Sequence, residues 1–145
     1  MRRPLVLALA VTVSTLAVLW GTTNLAGDRT VLVPPPHARA QNFMHALATR
    51  RAELVLKDLA PPVRTQVSAV SLQARFDALV RPIGGVTHVE AATIVYDDRF
   101  ATVRVELLGG EGRTPPFEMR FAWMHGEWFV QALPEGLAEP VRYTR

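Results

Sequence analysis

A chain of 145 residues without a cysteine has room for one domain with a modest core. It cannot hold a disulfide, a thiolate nucleophile, a thiolate zinc site or a cysteine-linked lipid anchor. Its formal net charge of +3 comes from 16 basic and 13 acidic side chains; with Arg2 and Arg3 set aside the rest nearly balances and is scattered, so the basic stripe of a nucleic-acid binder is missing.

The N-terminus opens with Met1-Arg2-Arg3. No charged side chain follows from Pro4 to Gly27, and Leu5–Trp20 is almost wholly Leu, Val, Ala, Thr and Ser. A positive start and such a run predict an export signal or a membrane anchor over residues 1–27. A cleavable signal needs a small-x-small site close behind the run. Asn24-Leu25-Ala26 begins with a poor residue, and Ala38-Arg39-Ala40 lies too far along. Trp20 suits an interfacial aromatic anchor. The expectation is therefore an uncleaved single-pass anchor through residues 4–27, with the arginines cytoplasmic and the remainder outside; the alternative is a secreted or periplasmic protein after cleavage.

Residues 28–35 form a connector, stiffened by Pro34-Pro35-Pro36, which holds the domain a little off the membrane. Residues 36–133 are the expected domain. A first helix is predicted over 36–51, with Phe43, Met44 and Leu47 on its inner face. A second covers 52–59, with Leu54, Val55 and Leu59 inward and Pro61-Pro62 as its stop. A third runs from an N-cap at Ser71 to Val80, burying Leu72, Phe76, Leu79 and Val80. Pro82 and Gly84-Gly85 end it.

After Gly85 the apolar period changes from 3.6 to 2. Residues 86–96 alternate weakly, and Asp97-Asp98 reads as a turn. In 100–108, Ala101, Val103, Val105 and Leu107 alternate with Thr102, Arg104 and Glu106. Residues 109–112 are a hairpin loop. Phe117, Met119, Phe121 and Trp123 mark the next strand, opposite Glu118 and Arg120. His125-Gly126 is a tight turn, 127–133 the last strand, and 134–145 a tail. Three helices followed by a four-stranded antiparallel meander give an α+β class, with the helices on one face of a curved sheet.

This order resembles the nuclear transport factor 2-like superfamily, also called cystatin-like or ketosteroid-isomerase-like, from about Pro35 to Leu133. The stretch Phe117-Glu118-Met119-Arg120-Phe121-Ala122-Trp123-Met124-His125-Gly126-Glu127-Trp128-Phe129-Val130 looks like the final hairpin of exported bacterial members, and Ala48–Leu56 like the step between the first two helices. Both motifs are architectural, so they speak to fold and not to chemistry. The resemblance implies a cone between helices and sheet, lined here by Phe43, Leu47, Phe76, Phe117, Phe121 and Trp123, which are expected to fill it as core. It also implies a strand element between helices two and three, for which residues 65–70 are the candidate.

Enzymes of the superfamily need polar groups inside the cone. Isomerase-like members set a carboxylate base against a Tyr or protonated Asp. Tyr96 and Tyr143 lie by a turn and in the tail, not on the first helix. His37, His45 and His125 read as solvated or interfacial. His88 and Glu90, two apart and hence on one strand face, are the one credible acid–base pair; the alternative is an exposed polar edge. The histidine spacing suggests no metal site, and no cofactor is expected. The glycines at 109–112 lack the Lys-Ser/Thr and following helix of a phosphate loop, and no Gly-x-Ser-x-Gly elbow is present.

The expected function is that of a non-enzymatic, tethered extracytoplasmic domain acting by protein–protein contact. Anchored members of the superfamily include structural subunits of secretion machines and accessory subunits of lipid importers. Arg104/Glu106 and Glu118/Arg120 give the open sheet face a self-complementary pattern suited to a homodimer or another protein partner. Two alternatives stand beside it: a binder of a small apolar or amphipathic ligand in the cone, and a small isomerase- or dehydratase-like enzyme using His88 and Glu90.

Overall fold

The computed structural model describes residues 33–138. The expected anchor at 1–27, most of the connector, the end of the tail and Tyr143 lie outside the described residues. No helix among those described is long and apolar enough to cross a membrane.

The first helix, α1 (Pro36–Ala48), begins with Pro36 at its first position, where a missing N–H and fixed φ are assets. Its buried stripe is Pro36, Ala40, Phe43, Met44 and Leu47, the spacing of one helical face. It ends three residues earlier than expected. Arg50 takes a positive φ of 60°, its N–H bonds the Leu47 carbonyl, and the Arg51 N–H reaches back to that of Ala46. This paired closure is the Schellman pattern, built on a residue type that resists the left-handed region.

Helix α2 (Ala52–Val55) is a single turn that tightens into a 3₁₀ turn over Leu56–Asp58. Leu54 is exposed rather than inward; Ala52 and Val55 make the contact. Pro61-Pro62 does not merely stop a helix: it starts α3 (Pro61–Arg64). The Arg64 guanidinium then donates to the carbonyls of Leu56, Lys57 and Leu59, which satisfies the end of the 3₁₀ turn. Helix α4 (Ala69–Val80) buries Leu72, Phe76 and Val80. Its N-cap is Ser68 and not Ser71, because the Ser68 hydroxyl accepts from the Ser71 N–H at 3.1 Å. The expected strand at residues 65–70 is absent for the same reason: this stretch is the approach to a helix. The pairing that does occur between helices is at Leu59, which bridges Val130 in parallel while the Ala60 N–H bonds the Val130 carbonyl at 2.8 Å. That contact covers the outer edge of the sheet.

The fold is α+β with a curved antiparallel sheet of five strands: β1 (His88–Tyr96), β2 (Phe100–Gly109), β3 (Gly112–Arg113), β4 (Phe117–Met124) and β5 (Glu127–Ala132). The order is β1-β2-β4-β5, with the two-residue β3 on β2 as an addition to the four expected strands. The weak alternation of the first strand has a cause. The register slips between Thr93 and Val95, so Ile94 is an extra residue and the strand switches parity midway. A second slip lies at Arg120/Phe121. Gly109 is required where it stands: a Cβ there would sit 2.2 Å from the carbonyl oxygens of Ile83 and Gly85.

The helices cover one sheet face. Val89, Ala101, Val103, Val105, Leu107, Met119, Phe121 and Val130 from the strands meet Phe43, Met44, Leu47, Leu72 and Phe76 from the helices, all buried. Burial of each large side chain contributes about 1.5–3 kcal/mol. Among the described residues Thr114 is the fully buried polar one, and its hydroxyl accepts the Leu107 N–H at 3.1 Å.

Candidate functional site

The six expected cone residues do not stay together. Phe43, Leu47, Phe76 and Phe121 are at most 1% exposed and belong to the core. Phe117 is half-buried at the start of β4. Trp123 is 40% exposed, beyond the helices, with its ring against Trp128 at 5.1 Å. None of the six lines either of two open clefts, of about 380 and 280 Å³. The larger lies between the start of α2 and α4, along Arg50, Ala52, Gln73 and Asp77.

His88 and Glu90 are exposed, on the opposite side of β1 from buried Val89. Glu90 stands directly opposite Glu106 on the outer face, whereas His88, the first residue of β1, borders a cleft that α1 also lines. The smaller cleft brings His88 beside His45, with Gln41, Asn42 and Thr87; sequence spacing gave no sign of that approach. His37 and His125 are exposed, and His125 takes φ 52° followed by Gly126 at 78°, the left-handed pair of a type I′ hairpin turn. Tyr96 is exposed and leans on Trp128 at 5.7 Å. Among the described residues no three side chains gather as a metal site.

The outer face of the sheet aligns a row of charged side chains. Across it the register sets Arg104 opposite Glu118 and next to Ala92, Arg120 opposite Thr102, and Glu106 opposite Glu90. Glu106 is held by Arg113 at 3.3 Å. Such exposed cross-strand pairs contribute only about 0.2–1 kcal/mol each to the fold, so stability alone gives little reason for their pattern.

A second cluster was not visible in the sequence. The Arg39 guanidinium, largely buried, reaches Asp58 at 3.1 Å and Glu127 at 3.4 Å, which ties the start of α1 to the 3₁₀ turn and to the start of β5. Burial pushes the Asp58 carboxyl above its ordinary value, and the Arg39 charge only partly opposes this. The Arg39 Nε is buried without a hydrogen bond. These residues are far apart in the chain and share no motif, so only the tertiary fold could reveal them.

No protein-family model matches the chain, and no characterised protein matches it in sequence. Solved structures do match it in shape. One is a Campylobacter jejuni protein provisionally named a nuclear transport factor 2-like transpeptidase; it has 16% identity and a TM-score of 0.57, over 69% of this chain and 100% of that one. The fold is nuclear transport factor 2-like. Another is a SEC-C motif containing protein from Rhodopseudomonas palustris, with 14% identity and a TM-score of 0.53 over 67% of this chain and 75% of that one. At these identities the likeness extends to the nuclear transport factor 2-like fold and not to chemistry.

Proposed function

We propose that this chain is a non-enzymatic extracytoplasmic domain, tethered to the cytoplasmic membrane by residues 4–27 and acting through protein–protein contact as an accessory or assembly subunit. The observation that carries the reading is the division of polarity. Among the described residues the buried side chains are almost all apolar, with Thr114 the polar residue among the fully buried ones and its hydroxyl bonded; the ordered charges of Arg104, Glu106, Glu118 and Arg120 lie on the open sheet face. Acid–base chemistry needs a titratable group within reach of a bound substrate, and His88 and Glu90 stand outside the cone. A face with both signs of charge can meet its own copy about a two-fold axis, each Arg facing a Glu.

The test is light scattering on the full chain in mild detergent. The expected result is a dimer, or a stable complex with a partner retained from membrane extracts. The double variant Arg104→Glu/Arg120→Glu leaves the core untouched and is expected to lower the affinity at least tenfold. A strict monomer that retains no partner overturns the proposal.

A further inference from the structure

The antiparallel sheet brings the β1–β2 and β4–β5 turns to one end. Five exposed apolar side chains gather there, with Leu54 and Val70 exposed elsewhere on the helices: Ile94, Val95, Tyr96, Phe100 and Trp123 are between 40% and 66% exposed. The register divides them over both faces. Tyr96 pairs with Ala101, and Trp123 with Trp128, on the helix side; Val95 pairs with Thr102, and Phe100 with Ala122, on the outer side. The patch thus wraps a tip instead of occupying one flat face. The tip is well tied. The Asp97 carboxylate accepts from the N–H groups of Arg99 and Phe100 at 2.7 and 2.8 Å, and the Trp123 N–H bonds the Arg99 carbonyl at 2.8 Å.

The chain enters the domain at this same end. Arg39, in the first turn of α1, pairs with Glu127, the first residue of β5 after the His125-Gly126 turn. The apolar run ends at Trp20 and the uncharged stretch at Gly27. The eight residues of 28–35 then span at most about 28 Å when extended. A short tether keeps the entry end of a domain nearest the bilayer.

We propose that the Tyr96/Phe100/Trp123 tip docks into the interfacial layer of the membrane that holds the chain. This rests on the anchoring reading above. Tyr and Trp, with apolar bodies and polar edges, favour the headgroup level. The tether makes docking intramolecular, so a patch too weak to bind lipid on its own is sufficient. Asp97 and Asp98 outweigh Arg99 at the tip, so attraction to anionic headgroups is not the driving term. A second copy is the less suitable occupant, because a two-fold partner covers one face and leaves the residues of the other exposed.

The full chain carrying Trp20→Phe, which leaves Trp123 and Trp128 as reporters, is reconstituted into phosphatidylcholine vesicles and floated on a density gradient. Tryptophan emission is then compared between ordinary and brominated acyl chains. Docking predicts flotation with emission reduced by roughly half in brominated lipid, unchanged by added phosphatidylglycerol, and relieved by Tyr96→Ser/Phe100→Ser. Flotation without quenching overturns docking while leaving the anchor standing; dimer cross-links through the tip in that case identify the second copy as the occupant. Failure to float overturns the anchor, and docking with it.

Discussion

Asp97 closes the β1–β2 turn with two backbone N–H groups on one carboxylate oxygen. The bond from Arg99, and then that from Phe100, holds its carboxyl below the ordinary 3.8. A carboxylate depressed in this way stabilises the folded chain fully above its ordinary value, and the contribution is lost as pH falls through the lower, folded value. Asp97→Asn keeps an oxygen for the turn but has no charge to titrate. Urea unfolding at stepped pH is therefore expected to show a shallower acid limb for the variant, which is less stable than the parent near neutrality and converges with it in acid; an identical acid limb would refute this account of the turn. The residue scale is also where sequence reading was weakest. Asp97-Asp98 was legible as a turn because short acidic side chains bond backbone locally. The Arg39–Asp58–Glu127 cluster was not, because its members meet only through tertiary packing. The resemblance implied Trp123 as a cone residue and alternation gave its strand face, but neither shows where the covering helices stop.

Among elements, the strands from Phe100 onward were readable because one face is buried and the other open, so burial follows the pleat. The first strand was blurred by the extra residue at Ile94, and α3 was missed because Pro-Pro reads equally as a stop or as a first turn. Helix α4 starts earlier than the expected cap at Ser71, because the hydroxyl that accepts a first-turn N–H is that of Ser68. The α1 terminus is the sharpest case. A left-handed residue is needed there, and the chain supplies Arg50 in place of glycine. Arg50 also pairs with Asp77 at 3.1 Å in an exposed contact, for which about 0–1 kcal/mol is typical. The left-handed region costs a side-chain-bearing residue about 1–2 kcal/mol. Arg50→Gly is therefore expected to unfold at equal or higher denaturant concentration than the parent. Arg50→Ala, which keeps the strain and loses the pair, is expected to lose up to about 1 kcal/mol. Equal losses in both would show that the ion pair, and not the backbone, governs this end.

For the whole molecule, periodicity delivered the fold class, and the resemblance delivered the topology. The domain behind the apolar run has a filled interior at Phe43, Leu47, Phe76 and Phe121, an outer face with ordered charge, and an aromatic tip at the end where the chain enters. The outer face and the tip are the two surfaces on which the proposal of a tethered, partner-binding domain rests. Function was less legible than fold because the chain spends its motifs on turns and packing, and the remaining clue, the run from Leu5 to Trp20, concerns place. The central claim is thus retention of that run. Intact-mass spectrometry of the protein recovered from cell membranes tests it most directly. The account predicts the full 145-residue chain, 16.0 kDa, in the membrane fraction and resistant to alkaline extraction. A shorter chain lacking residues 1–27, recovered from the soluble fraction, would contradict it.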